Sequence, residues 1–153
     1  VFAVFLGSTG MSWSADFQKG LDAAKSGDFA TALREWTPLA EQGNALAQYN
    51  LGLMYDNGKG VPQDYKTAVK WFTLAAEQGD ADAQFTLGWV HKEGLGTPQD
   101  NVYAYMWWDI VASNGAEEGA KHRADVAKNM TATQIEKAAK LARECIRKKH
   151  KGC

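Results

Sequence analysis

The sequence has few of the side chains that most often carry out catalysis or bind metals. It contains three histidines and two cysteines among 153 residues. His91, His122 and His150 are too far apart in the chain to match a metal-ligand spacing, and neither thiol has a histidine partner on a rigid element. His122 and Asp125 form a helical neighbour pair that is typical of a surface, and no serine lies in a nucleophile motif with a nearby base. The sequence therefore predicts no catalytic residues, no metal site and no cofactor.

A long apolar run is also missing. The chain opens with the run VFAVFLG, about seven residues, whereas a membrane-spanning helix needs roughly 20. An apolar run followed by small polar residues is typical of the end of a secretory signal peptide. We therefore interpret residues 1–14 as a signal-peptide remnant, with cleavage near Ser14 or Ala15. The alternative is a short hydrophobic N-terminal segment that packs on the fold.

The two cysteines, Cys145 and Cys153, are interpreted in the light of this segment. Export would place them in an oxidising compartment, where they can close a short disulfide loop. In a reducing cytoplasm they would be two thiols without a role. We expect a bacterial protein that is periplasmic or secreted.

The charges balance overall but are unevenly distributed. The formal net charge is -1 at pH 7, and ten of the 17 basic residues but only three of the 18 acidic ones lie from Gly119 onward. We consider three roles for this basic end: contact with anionic lipid or glycan, head-to-tail self-association, or solubility alone, which we favour. Nucleic acid is not an expected partner of an exported protein. The positive charge of this end is most concentrated in five residues near the C-terminus: Arg143, Arg147, Lys148, Lys149 and Lys151.

The most informative feature is an internal repeat. Shifting the chain by 36 residues aligns residues 44–79 with residues 80–115, and fourteen of the aligned positions are identical. Repetition at this period is typical of a solenoid, in which each repeat packs on its neighbours. The sequence therefore predicts two full repeats in tandem.

Each copy predicts a helix, a loop and a second helix. In the first copy, ALAQYNLGLMYDN has an apolar stripe at spacings of three and four residues. The segment GKGVPQD then ends that helix, because its glycines allow positive φ and Pro62 lacks a backbone donor. Asp64 is the expected N-cap of the second helix, which ends before Gly79.

Small and aromatic residues alternate in the predicted helices. Small side chains leave room for two helices to cross closely, and this is the role we assign to Gly52, Gly88, Ala68 and Ala104. We expect the neighbouring aromatic side chains to fill the core rather than to bind a cofactor. These are Trp71, Phe72, Trp107 and Trp108.

Less regular segments flank the two repeats. Residues 15–43 are a degenerate copy with a shorter connector, in which Gly20 takes the place of Gly52. Residues 116–153 begin another first helix and continue into a helix capped by Thr131 or Thr133. The predicted fold class is all-α: a right-handed α/α superhelical solenoid that forms a single domain over residues 15–153, with capping hairpins at both ends.

The segment AQYNLGLMYDNGKGVPQDYKTAVKWFTLAAEQG resembles the Sel-one-like repeat (SLR) family, a tetratricopeptide-related class of α/α solenoid. The resemblance is specific over residues 44–115 and weaker over residues 15–43, and His91 departs from the first copy, which has Tyr55. It implies a non-enzymatic scaffold that binds other proteins or peptides, often in bacterial envelopes. Some relatives are described as β-lactamase-like or penicillin-binding, which gives the alternative of a cell-envelope activity on β-lactams or peptidoglycan. Those relatives have a cysteine pair in every repeat, and this chain does not.

First helices of successive repeats line the concave side of such a solenoid, and we expect a partner segment to bind there. Trp89 replaces Leu53 at the equivalent position, so the fold does not require its bulk, and Trp is enriched among interface hot spots. The alternative is that Trp89 covers the junction with the C-terminal cap. The predicted partner-binding residues are Phe17, Leu21, Tyr49, Leu53, Asp56, Asn57, Phe85, Trp89, Lys92 and Glu93.

Overall fold

A computed structural model describes residues 15–153, which form eight α-helices and no strand. The interpretation of residues 1–14 falls outside the described residues. No helix within residues 15–153 is long and apolar enough to cross a membrane. The helices are α1 (Phe17–Lys25), α2 (Phe29–Glu41), α3 (Ala45–Asn57), α4 (Tyr65–Ala76), α5 (Ala81–Glu93), α6 (Asn101–Ser113), α7 (Glu117–Ala127) and α8 (Ala132–Arg147).

The helices form an α/α solenoid, as the sequence predicts. The pairs α1 and α2, α3 and α4, and α5 and α6 pack as hairpins, and each of the first two hairpins also packs on the helix that follows it. We call α1, α3, α5 and α7 the first helices, and the surface that they share the first-helix surface. Every repeat contacts its sequence neighbours, and the buried hydrophobic residues form three core clusters along the stack, each with residues from more than one helix.

Side-chain caps mark the start of seven of the eight described helices, all except α7. The Asp64 carboxylate accepts hydrogen bonds from the backbone N–H groups of Lys66 and Thr67, which confirms its predicted role as the N-cap of α4. Asp100 has the same role for α6. At the other end of the first helices, Gly58 ends α3 in the left-handed region, with φ of 63°.

Glycine and an aromatic ring meet at the crossing of the two helices in three successive pairs. A Cβ atom placed on Gly88 would lie 2.2 Å from Nε1 of Trp108, and one on Gly52 would lie 2.4 Å from the ring of Phe72. Gly20 faces Trp36 in the same way in the degenerate first pair. A side chain at these positions would push the ring away, so glycine is required by the close approach rather than by backbone conformation.

Buried glutamines connect each repeat to the one before it. Gln48 and Gln84 are almost completely buried, and their Nε2 atoms donate to the carbonyls of Ala40 (3.0 Å) and Ala76 (3.1 Å). Both carbonyls lie in the last turn of the preceding second helix, where intrahelical partners run out. This link explains why glutamine recurs at the same place in both full repeats.

The C-terminal helices pack differently from the repeats. The main neighbour of α8 is α6, and Ala142 and Cys145 of α8 complete the core cluster that contains Met106 and Trp107. Thr131 is the N-cap of α8, and its hydroxyl forms a capping box with the Gln134 side chain. The cap therefore closes the second-helix side of the solenoid.

The tail after α8 folds back on the domain. The structure joins Cys145 and Cys153 by a disulfide, with their Cα atoms 5.5 Å apart. The backbone N–H of Gly152 donates to Oε1 of Glu77 at 3.0 Å, which fixes the tail beside the end of α4. The tail lies away from the cleft between α5 and α7 described next.

Candidate protein-binding cleft

An open cleft lies on the first-helix surface between α5 and α7. Its volume is about 490 Å³, within the range of pockets that bind ligands. The last turn of α6 and the short connector to α7 form its floor at one end. The residues lining the cleft are Ala81, Asp82, Phe85, Trp89, Val111, Ala116, Glu118 and His122.

Three of the eight residues that line the cleft carry aromatic rings, namely Phe85, Trp89 and His122. The ring of Trp89 lies edge-on to Trp108, with 5.3 Å between ring centroids, and 4.8 Å from the ring of His122. Phe85 lies 5.2 Å from His122 on the other side. Such edge-on pairs are favourable beyond the area that they bury. Trp89 thus packs on the C-terminal cap and faces the cleft as well.

Trp89 also has a cation beside it. The Nζ atom of Lys92 lies 4.5 Å from the centroid of the Trp89 ring, and 3.4 Å from Oε1 of Glu93. Trp89 is half-buried, whereas Trp108 below it is almost completely buried. The exposed part of Trp89 is therefore available to another molecule.

The opposite end of the cleft is acidic. Asp82 is exposed in the first turn of α5, and Glu118 is exposed in the first turn of α7. Oε2 of Glu118 lies 3.7 Å from Nε2 of His122. Burial raises the pKa of Asp80, the N-cap of α5, and the Asp82 carboxylate adds to that effect.

Comparison with known proteins gives the family. The Sel1 repeat matches residues 45–80 and 81–115. A Sel1 repeat protein from Oxalobacter formigenes is 31% identical, with a TM-score of 0.65, over 71% of this chain and 85% of that one. The chain belongs to the Sel1 repeat family. None of the curated proteins matches the chain of this Sel1 repeat protein.

A second Sel1-like structure is similar over more of the chain. It is a protective antigen present in uropathogenic Escherichia coli strains, which displays an SLR fold. The identity is 32% and the TM-score 0.81 over 86% of this chain, which spans only 29% of the antigen. The fold of this Sel1 repeat protein is thus that of the SLR structures to which it is similar.

Several predicted binding residues in this Sel1 repeat protein have structural contacts. Phe17 packs on Trp36, with ring centroids 5.9 Å apart, and its carbonyl accepts a hydrogen bond from Nε1 of Trp36 at 3.2 Å. Leu21 packs on the same cluster. The rings of Tyr49 and Phe72 pack with their centroids 5.7 Å apart, and burial raises the pKa of Tyr49. These three side chains are half-buried members of the repeat core.

Leu53 and Asn57 lie in a second, smaller cleft. It has a volume of about 170 Å³ and is shared by α1, α2 and α3. The Asn57 side chain donates to the carbonyl of Leu53 at 2.8 Å, while burial raises the pKa of the nearby Asp56. Four of the ten predicted residues therefore line these two clefts: Leu53 and Asn57 the smaller one, and Phe85 and Trp89 the larger one.

The interpretation of His122 as a surface residue was wrong. The structure places it, half-buried, among three aromatic rings in the cleft wall. The 36-residue shift aligns His122 with Thr86 and, one repeat earlier, with Asn50. Because neither residue is aromatic, this alignment does not indicate that His122 packs among rings. Asn50 lines the smaller cleft in the same way. Asp125 instead pairs with Lys128, whose hydrogen bond lowers the pKa of Asp125.

In the described part of the Sel1 repeat protein, the side chains that could bind a metal form no cluster, and the basic C-terminal residues lie outside the larger cleft. Among residues 15–153, no cluster of three or more histidine, cysteine or acidic side chains could hold a metal ion. The basic C-terminal residues are exposed to solvent on α8 and on the tail, where they form no part of the larger cleft: Arg143, Arg147, Lys148, Lys149 and Lys151.

Proposed function

We propose that this Sel1 repeat protein is a non-enzymatic scaffold that binds a segment of another protein on its first-helix surface. The observation that carries the proposal is Trp89, a half-buried tryptophan that lines an open cleft of about 490 Å³. The preceding repeat has Leu53 at that place, so the solenoid does not need a tryptophan there. Tryptophan at the centre of a concave aromatic site is typical of interface hot spots.

Site-specific crosslinking tests this proposal. A photoreactive amino acid replaces Trp89 in the native host, and crosslinked proteins are identified by mass spectrometry. The matched control places the same group at Leu74, an exposed leucine on the second helix α4. We expect one or a few specific proteins to crosslink from position 89 and not from position 74. The same set of proteins from both positions would overturn the proposal.

A second experiment distinguishes the non-enzymatic scaffold from the alternative of a cell-envelope activity on β-lactams. The purified protein is incubated with a chromogenic cephalosporin and with a fluorescent penicillin. We expect neither hydrolysis nor covalent labelling, because we assign no nucleophile to the cleft. A stoichiometric label would replace the scaffold by a β-lactam-binding activity.

We propose that the protein acts in the periplasm or outside the cell. Two features support this location: the apolar start of the sequence and the disulfide between Cys145 and Cys153, since disulfides persist in oxidising compartments. Fractionation of the native host tests it. The protein is expected in the periplasm or the medium, and its recovery in the cytoplasm would contradict the proposal.

We propose that the basic C-terminal residues keep the end of the solenoid soluble, as exposed solenoid ends require. Contact with anionic envelope surfaces and self-association are the alternatives. Sizing chromatography at low and high salt separates these roles, because assembly through opposite charges weakens as salt is added. We expect the elution volume to be independent of salt, and a larger species at low salt would favour self-association.

A further inference from the structure

The cleft between α5 and α7 has two chemically different ends. Asp82 lies one turn before Phe85 on α5, and Glu118 lies one turn before His122 on α7. Because both helices are first helices of successive pairs, their N-terminal turns lie at the same end of the cleft. The aromatic wall formed with Trp89 continues from that end toward the other.

Within residues 15–153, the only basic side chain within salt-bridge distance of the carboxylates at the acidic end is His122, whose Nε2 lies 3.7 Å from Oε2 of Glu118. Among residues 15–153, no lysine or arginine lies within salt-bridge distance of Asp82 or Glu118. The cation at the aromatic end is already engaged, because Lys92 lies over Trp89 and pairs with Glu93. The cleft therefore combines an apolar wall with two carboxylates at one end that no lysine or arginine of the described residues neutralises.

We infer that the cleft binds a partner segment that inserts a bulky apolar side chain against Phe85 and Trp89 and places a lysine or arginine against Asp82 and Glu118. This inference rests on the proposed function and names the chemistry of the partner. Opposite charge at the end of an apolar contact fixes the orientation of the segment and raises its association rate. A segment with acidic residues at that position is disfavoured by like charge.

The length of the cleft sets the spacing between the two groups on the partner. Trp89 lies seven positions after Asp82 on α5, a rise of about 10 Å at 1.5 Å per residue. An extended segment covers that distance in about three residues. The basic residue thus lies about three positions from the apolar anchor when the segment is extended.

The two carboxylates also lie where the helix dipole favours negative charge, so a role in folding has to be separated from binding. Charge reversal at these two positions tests the role in folding and the role in binding. The variant Asp82→Lys/Glu118→Lys is compared with Glu41→Lys/Glu136→Lys, which makes the same change in net charge at exposed positions on α2 and α8. Urea unfolding of each variant reports the effect on stability.

The probe is a phage library of random 12-residue peptides selected on the immobilised wild-type protein. We expect enriched peptides to share an apolar residue with a lysine or arginine within about four positions. A synthetic peptide of that sequence should bind Asp82→Lys/Glu118→Lys at least tenfold more weakly than it binds the control variant. Replacing the basic residue of the peptide by glutamate should restore binding to the reversed cleft.

Four results overturn the inference. Enriched peptides without a basic residue exclude the acidic end as a binding group. A change in unfolding with unchanged peptide affinity assigns the two carboxylates to folding alone. Peptides that lose affinity on Leu53→Ala but not on charge reversal bind the smaller cleft, which retains the proposed function and rejects this site. Enriched peptides whose affinity changes with no substitution on the first helices reject both this site and the proposed function.

Discussion

Nε1 of Trp108 donates a hydrogen bond to the carbonyl of Phe85 at 3.2 Å, directly over Gly88. The bond links the two helices of the second full repeat at their closest approach. It also positions the cleft, because Phe85 is a wall residue and Trp89 rests against the same indole ring. The packing of the core and the shape of the proposed binding surface therefore depend on one side chain.

Gly88→Ala should destabilise the fold although alanine is the better helix former. Helix propensity alone would favour alanine by about 1 kcal/mol. The new Cβ, however, would lie 2.2 Å from Nε1 of Trp108, which forces the indole out of its place. We expect the free energy of unfolding in urea to fall by about 1 to 3 kcal/mol. Thr133→Ala, at an exposed position in α8, is the control, and an equal or higher stability of Gly88→Ala would contradict the packing described.

Trp108→Phe should be tolerated better than Trp108→Ala. Phe72 fills the equivalent position in the preceding repeat, so a phenyl ring fits the glycine crossing. The phenylalanine variant loses the hydrogen bond to Phe85 and part of the ring, which costs about 1 to 2 kcal/mol. The alanine variant leaves a cavity and costs about 3 to 5 kcal/mol. Equal losses in urea unfolding would show that the ring does not fill this space.

The repeat pattern predicted these contacts because they are local in the stack. Gly52 and Asp64 recur at a fixed shift, Phe72 is replaced there by another aromatic residue, Trp108, and each acts within its own helical pair. A single sequence contains that information in its period. The helix caps and the glycine crossings were therefore accessible from residue type and spacing alone.

The C-terminal part could not be predicted in the same way. Nothing in the period indicates that α8 packs on α6, or that Gly152 binds Glu77, since these contacts join residues outside the repeat. His122 was missed because its own helix looks polar, and its aromatic neighbours are on α5 and α6. Tertiary contacts that occur once leave no repeated signal.

Reduction of the tail disulfide should weaken the C-terminal cap. The bond between Cys145 and Cys153 closes a loop across a separation of eight residues, for which loop entropy gives about 2 to 3 kcal/mol. We expect Cys153→Ser to lower the free energy of unfolding by at most that amount, and hydrogen exchange to increase first at the end of α8. The purified protein should show no free thiol before reduction and two after it. Two reactive thiols in the unreduced protein would contradict the bonded tail.

His91 should make stability depend on pH near neutrality. Burial lowers the pKa of His91, and its Nδ1 has no protein partner within residues 15–153. The unfolded chain therefore binds a proton more readily than the folded one, and stability falls as pH drops below about 6.5. Some carboxylates have a lowered pKa because they accept hydrogen bonds, and they change the stability only at more acidic pH. These are Asp28, Glu35, Asp64 and Asp125.

A substitution taken from the first copy isolates the histidine. Tyr55 occupies the equivalent position, and His91 stacks on Tyr103 with ring centroids 5.2 Å apart, so His91→Tyr keeps an aromatic ring there. We expect urea unfolding of the wild-type protein to lose stability between pH 7.5 and 5.5, and the variant to lose much less. Identical slopes in this range would show that His91 does not cause the dependence.

The most direct test of the binding cleft is the affinity of the partner crosslinked at position 89 for Trp89→Leu. Leucine is the residue of the preceding repeat, so helix content and cooperative unfolding should be retained. Calorimetry at a temperature where both proteins are folded should give a dissociation constant at least tenfold weaker than for wild type, with Leu74→Ala unchanged. An affinity equal to that of wild type would show that the cleft between α5 and α7 is not where the partner binds.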